Sequence, residues 1–255
     1  MTIAEEIDDD VIDGVYYPSS DGEPVAEIGV HLLAMFSLFP QLKKLFADRS
    51  DVYIACDMLW YREQGNPKAC IAPDIMVNLG VPPGDERRSS KSSTENGVVP
   101  SVTFEMMSRG TWRRNMTVTK DRYESLGVKE YYMFDPLGHY LKEQVVGFKL
   151  VKGRYRPALP DEDGAIPGPS MGCRLVARGR LLRLVDAATG EVIPTEKELN
   201  ERAFAEAASE KQRADQQAAR AASEKQRADE LQQELERLRA QLAGRLNGRI
   251  GGHSK

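Results

Sequence analysis

Apolar residues recur at Val25, Ile28, Leu32, Met35, Phe36, Phe39, Leu42 and Phe46 with the 3.6-residue period of a helix. Pro40 falls inside this stretch and predicts a break, or two shorter helices in place of one. Residues 51–61 and 69–79, the second containing Pro73, alternate loosely and are rich in aromatic and β-branched side chains, so both predict strands. Residues 101–107 alternate cleanly, with Val102, Phe104 and Met106 on one face and Thr103, Glu105 and Met107 on the other. A short helix is expected over 115–126, with Asn115 as its N-cap and Gly127 just past its end. Residues 130–134 predict a further strand, stopped by Asp135-Pro136. After it, β-prone segments at 145–151, from 155 onward, at 175–176 and at 181–185 are separated by Lys152-Gly153 and Arg178-Gly179, the pattern of hairpins. Residues 81–100, rich in Pro, Gly, Ser and charge without an apolar period, predict a long loop or mobile flap.

The pattern changes in kind near residue 196. Between 196 and 246 there is no proline and one glycine, and the nonapeptide AASEKQRAD at 207–215 recurs intact at 221–229, two heptads later. Placing Ala228, Leu235 and Leu242 at a and Leu231 and Leu238 at d gives an apolar seam at the C-terminal end. Continued backwards, the a positions are Ala221, Ala214 and Ala207, but the d positions are Glu224, Gln217 and Glu210. The tail is therefore either a coiled coil, which would make the protein a homodimer, or a single helix stabilised by its own charge pairs. The expected layout is an acidic, flexible N-terminus over 1–20, a mixed α/β domain over 21–190, the helical tail over 196–246 and a disordered end at 247–255.

Composition narrows the setting. At 255 residues, with 41% hydrophobic and 29% charged side chains, the chain suffices for one well-buried domain and an appendage. The first fourteen residues carry Glu5, Glu6, Asp8, Asp9, Asp10 and Asp13 and no basic residue, unlike a secretory leader, so a cytoplasmic location is expected. No apolar run approaches the roughly 18 residues needed to span a bilayer. Cys56, Cys70 and Cys173 are odd in number and far apart, which argues against a disulfide framework or a zinc knuckle. The net charge of −4 draws no polyanion by itself, so nucleic-acid contact needs a local basic surface. Arg109, Arg113, Arg114 and Lys120 form one such stretch with no acid among them, and residues 149–156 form a second. Each is either such a contact surface or an ordinary solvated face.

Two acids stand alone in apolar strands: Asp74 in IAPDIMV and Glu105 in VTFEMMS. Burying an unpaired carboxylate is costly, so each needs a divalent cation, an arginine or backbone donors as compensation. Lys120 follows Glu105 by fifteen residues on the next helix, from which its ammonium is expected to return towards both carboxylates. Two acids and a lysine around a metal suit phosphodiester hydrolysis: the metal polarises the phosphate and its bound water, and the lysine orients that water or stabilises developing charge. The three histidines, His31, His139 and His253, lack a nucleophile-elbow motif for a Ser-His-Asp triad, and no phosphate-loop or dinucleotide glycine motif occurs.

The run PSVTFEMMS, then TWRRN, then Lys120 and the string YESLGVKEYYMFDP resembles the bacterial Uma-type restriction-endonuclease family of the PD-(D/E)XK nuclease superfamily. The resemblance extends from about Asp21 to about Gly190 and takes in GEPVAEIGVH, DVYIACDMLWY, the APD element at 72–74 and the NLGVPPGD loop. It implies a restriction-endonuclease-like mixed sheet flanked by helices and a Mg²⁺- (or Mn²⁺-) dependent endonuclease acting on DNA. Asp74 and Glu105 would be the metal carboxylates and Lys120 the third catalytic residue; Met107 stands where the superfamily's lysine usually lies. Glu27 and His31 fall at family-like positions that could assist the site. Family members usually carry Asp at the position of Asn115 and Lys at that of Thr119. These departures keep open the alternative of a catalytically weakened or dead nuclease fold that serves as a nucleic-acid-binding or interaction module.

Overall fold

The computed structural model describes residues 10–12, 15–17, 29–84 and 87–250, with side chains from 29 to 84 and 87 to 242. It divides into two compact units, Met1–Glu196 and Lys197–Lys255.

In the first unit β1 (Asp10–Ile12) and β2 (Val15–Tyr17) form an antiparallel ribbon within the stretch expected to be flexible. Then come α1 (Gly29–Leu45), β3 (Val52–Cys56), β4 (Trp60–Tyr61), β5 (Cys70–Ile71), β6 (Ile75–Leu79), β7 (Ser90–Lys91) and β8 (Val102–Met106). A helical segment follows, consisting of α2 (Trp112–Arg114), a wide π turn (Asn115–Thr119) and α3 (Lys120–Leu126). The unit continues through β9 (Glu130–Phe134), β10 (Val145–Val151), β11 (Arg154–Ala158), β12 (Ile166–Gly168), β13 (Cys173–Arg178) and β14 (Leu181–Asp186).

The central sheet runs β11-β10-β9-β8-β6-β3, antiparallel except where β8 lies parallel to β9. A parallel pair needs a crossover, and the α2–α3 segment supplies it. Even-numbered β8 residues Val102, Phe104 and Met106 join Ile75, Val77, Tyr132 and Phe134 in one core beneath α1 and the β12-β13-β14 sheet. Tyr53, Met76, Met107, Tyr131 and Met133 form the second core with Tyr123 of α3. The clean alternation of 101–107 thus separates two buried faces, where an exposed sheet would separate core from water.

Pro40 does not break α1. It cannot donate to the carbonyl of Phe36, but Phe36 is 63% exposed, so the orphaned acceptor lies on the watered side. Gln41, fully buried, sews the helix to the second sheet: its Nε2 donates to Leu182 O at 3.1 Å and its Oε1 accepts from Leu184 N at 3.0 Å. Gly147 is required where that sheet crosses β9 and β10, because a Cβ there would lie 2.8 Å from the Tyr132 ring and 2.9 Å from Ile166 Cγ2. At Asp135 the turn after β9 is stapled by the carboxylate, which accepts from the N–H groups of Leu137, Gly138, Tyr140 and Leu141.

The described part of 81–100 is packed, contrary to the flap expected there. β7 runs parallel to β4, Ser89 to Ser92 are buried, and Trp60 Nε1 donates to Ser92 Oγ at 2.8 Å. Arg87 pairs with Glu95 at 2.7 Å, so the polar side chains that hid any periodicity find their partners within the loop. The crossover helix likewise begins earlier than expected, at Trp112, which leaves Asn115 inside it; Gly127 ends it with φ +84°.

The second unit is α4 (Glu196–Ile250), a single 55-residue helix about 80 Å long at 1.5 Å per residue. Leu231, Leu235, Leu238 and Leu242 of the expected seam are 48–66% exposed. Lys197–Glu201 at 3.8 Å and Gln226–Glu230 at 2.9 Å are contacts of the i,i+4 kind that support a solvated helix. Among the described residues no helix is long and apolar enough to cross a membrane.

Candidate functional site

β6 and β8 pair with Ile75 opposite Phe104, and extending that register by one residue sets Asp74 across from Glu105. Both carboxylates therefore project from the second face at the end of the paired region. Asp74 is held by the end of β8: Met106 N donates to its Oδ2 at 2.6 Å, while its own carbonyl accepts from Asp57 N at 3.0 Å. His31, in the first turns of α1, brings Nε2 to 3.4 Å from the same Oδ2, and the two side chains are 7% and 16% exposed. Glu27 lies outside the described residues.

Glu105 is oriented by the crossover helix. Tyr123 OH donates to its Oε1 at 2.7 Å, and Asn115 Nδ2 reaches Oε2 at a long 3.4 Å. Thr119 Oγ1 donates to Asn115 Oδ1 at 3.2 Å, and Tyr131 OH donates to the Asn115 carbonyl at 3.0 Å. The π turn lies under this cluster, and such turns often mark functional sites. Asn115, Thr119 and Tyr123 are spaced by four, the repeat of one helix face. That polar stripe was the available signal for Tyr123, a residue the strand-based reading passed over.

Burial pushes the Glu105 carboxyl well above the usual carboxylate range, and the neighbouring Asp74 charge pushes it the same way. The Tyr123 hydroxyl, the charge of Arg114 and the Asn115 amide pull it down without offsetting those two. Tyr123 is itself pushed up, first by burial and then by Glu105. A divalent cation between the carboxylates would act against both causes at Glu105.

Lys120 does not join this pair. Its ammonium bonds Asp121 Oδ1 at 2.7 Å and lies 5.7 Å from the Phe148 ring centroid. Phe148 pairs with Tyr131, and Tyr131 with Thr103 of β8, so that ring stands two strands away from β8, roughly 10 Å at the usual strand spacing. The cation whose field reaches Glu105 is Arg114 of α2. No lysine or arginine forms an ion pair with Asp74 or Glu105 among the described residues. No group of three or more His, Cys, Asp or Glu stands in a metal-holding arrangement among them. The donor set is two carboxylates, the kind that hard cations take together with water and phosphate oxygens.

Residues 6–176 match the profile of the Uma2 family, described as "Putative restriction endonuclease". Among solved structures the chain is similar to a "putative nuclease belonging to DUF820" from Anabaena variabilis ATCC 29413. That similarity has 15% identity and a TM-score of 0.41, over 63% of this chain and 80% of the other. No functionally curated protein matches the sequence.

Proposed function

Because the chain belongs to the Uma2 family of restriction-endonuclease-like proteins, we propose that it is a Mg²⁺- or Mn²⁺-dependent endonuclease that hydrolyses DNA phosphodiester bonds at the Asp74–Glu105 pair. The observation that carries this reading is the apposition of the two carboxylates: a single register step places them face to face in a buried setting that raises Glu105. When bound there, the cation would polarise the scissile phosphate and lower the pKa of an attacking water.

The chain's own side chains set up that chemistry. Met106 N–H fixes one oxygen of Asp74, which leaves Oδ1 free to turn to a cation. Tyr123 and Asn115 hold the two oxygens of Glu105. His31, beside Asp74, is placed to hold or pass a proton at Nε2. In this reading Arg114 supplies the positive charge for phosphate oxygens that was expected from Lys120, whose ammonium is engaged by Asp121. Incubating the protein with supercoiled plasmid and Mg²⁺ or Mn²⁺ is expected to give nicking, reduced by more than about 100-fold in Asp74→Ala and Glu105→Ala, since even outer partners of metal ligands are worth 10–100-fold. Nicking at wild-type rate in both variants overturns the assignment.

The position of Lys120 favours a second reading, a nuclease fold kept as a nucleic-acid-binding module with a weakened site. DNA binding without metal-dependent nicking is its expected signature. For either reading we place the protein in the cytoplasm, where reduced cysteines persist. The exposed leucines of α4 are proposed to pair two copies, presenting two heads to one duplex. Sedimentation of the full chain at tens of micromolar is expected to show a dimer and a chain ending near Pro194 a monomer; two monomers overturn the pairing.

A further inference from the structure

Three arginines from separate elements lie within reach of one another's charge, and one of them, Arg114, also acts on Glu105. Arg62 follows β4, and its N–H donates to Ala69 O at 3.1 Å across the β4–β5 hairpin. Arg122, on α3, donates from Nη2 to Cys70 O at 2.6 Å, one residue further along that hairpin, where Cys70 pairs with Tyr61. Both guanidinium-bearing residues are therefore anchored at the same hairpin. Arg114 lies two turns before Arg122 on the crossover helix, exposed at the surface, and its charge is felt by both Arg122 and Glu105.

Little compensates these charges within the protein. Arg62 Nη1 stands 3.9 Å from Glu63 Oε1, and its buried Nε has no hydrogen-bond partner among the described residues. The hydrogen-bond partner of Arg122 is a neutral carbonyl, that of Cys70. Arg114 has no carboxylate within ion-pair distance among the described residues. Like charges gathered in this way raise the free energy of the protein alone and lower it when a polyanion lies across them. Beside Arg62 the surface opens into a recess of about 330 Å³ lined by Trp60, Glu63, Ser92, Ser93, Gly97 and Leu126.

The second basic stretch of the sequence is built differently. Arg154 is neutralised by Glu124 at 2.9 Å, and Lys152 sits at the tip of the β10–β11 turn with φ +50°. That stretch reads as a solvated hairpin, and it supplies a control surface.

We propose that Arg114, Arg122 and Arg62 form a track for the phosphodiester backbone of a nucleic-acid strand, leading from the Asp74–Glu105 pair towards the recess beside Trp60. The proposal rests on the nuclease reading for its direction, since the phosphate at the start of the track is the one to be cut. It adds that the flanking phosphates are held by guanidinium groups of the crossover helix and the β4–β5 hairpin.

The test is fluorescence anisotropy of the full-length protein with a short fluorescein-labelled DNA duplex in EDTA, so that neither metal nor cleavage contributes. Affinity is measured over a series of salt concentrations. Each phosphate contact adds about 0.9 to the slope of log K against log salt. Arg62→Gln is expected to lower the slope by about 0.9, and the Arg62→Gln/Arg114→Gln double variant by about 1.8. Arg156→Gln, on the exposed β11 hairpin, is expected to leave it unchanged. Arg122→Gln removes a bond to the hairpin and is scored only with an unchanged thermal midpoint; Arg62→Gln has no such bond to lose from its guanidinium.

An unchanged slope in the double variant, an equal loss in Arg156→Gln, or no salt-dependent binding by the wild type overturns the track. The nuclease reading fails separately. Binding that depends on these arginines, without metal-dependent nicking, leaves the track standing and removes the enzyme. Nicking that Asp74→Ala abolishes, with an unaltered slope in the arginine variants, does the reverse.

Discussion

The two faces of the central sheet are made by the same strands and differ only in residue parity. On the first, Val102, Phe104 and Met106 meet α1 and the small sheet in an apolar core with Gln41 as its polar stitch. On the second, Asp74, Thr103 and Glu105 lie among tyrosines whose hydroxyls donate to carboxylate or backbone carbonyl oxygen. One face spends its burial on stability. The other accepts buried charge, a poor choice for stability that makes sense where a cation or substrate completes the site.

The largest effect expected from breaking this contrast is on the first face. Phe104 is 1% exposed and stacks on Tyr132 with centroids 5.3 Å apart, so Phe104→Ala should cost about 3–5 kcal/mol of stability, read by urea denaturation. A loss below about 1 kcal/mol would mean that the first core does not carry the fold.

Glu105→Gln should act in the opposite sense on the second face. The ionised form of Glu105 is disfavoured by burial and by Asp74. Since its folded pKa is raised, the unfolded chain releases the proton first, and stability falls as pH rises from the ordinary carboxylate range through the raised value. The metal-free Gln variant should therefore melt higher than wild type at neutral pH and show a flatter stability profile, while nicking drops by two orders of magnitude or more. A lower melting temperature at neutral pH would contradict the burial argument.

Gln41→Leu leaves Leu182 O and Leu184 N without their partner and should cost about 1–3 kcal/mol, with nicking by the folded protein intact. Loss of activity at full stability would tie α1 to the chemistry more closely than its contact through His31 does. The smallest effect concerns metal affinity. Cation binding must displace a proton from Glu105, so below the raised pKa Mg²⁺ affinity by calorimetry should tighten by up to about tenfold for each unit by which the pH rises. Affinity that does not change with pH would remove Glu105 as a ligand.

Much of this was legible in the amino-acid pattern because it depends on local spacing. The alternation of 101–107, the strand at 130–134 and the Gly127 end of the crossover helix are set by periodicity and caps, whereas the strands expected over 51–61 and 69–79 each divide into two that join different sheets, and Asn115, expected as an N-cap, lies inside its helix. Asp74 and Glu105 stood out because a lone acid in an apolar strand needs a partner. What could not be read depends on tertiary partners. Ser89 to Ser92 became ordered through Trp60 and Glu95, and Pro40 stayed helical because its face was wet. Lys120 was misplaced because its direction follows from helical phase. An α-helix turns about 100° per residue, and the π turn just before Lys120 changes that phase with no mark in the residue types.

In α4 the nonapeptide at 207–215 and its copy at 221–229 differ by fourteen residues, which keeps the heptad register although a straight α-helix drifts by about 40° over that span. A duplication of that unit lengthens the helix by about 21 Å and keeps Leu231, Leu235, Leu238 and Leu242 in the heptad register of the residues before them. The repeat thus acts as a ruler graduated in two-heptad steps, by which the helix can be lengthened or shortened without breaking the register of the leucine seam.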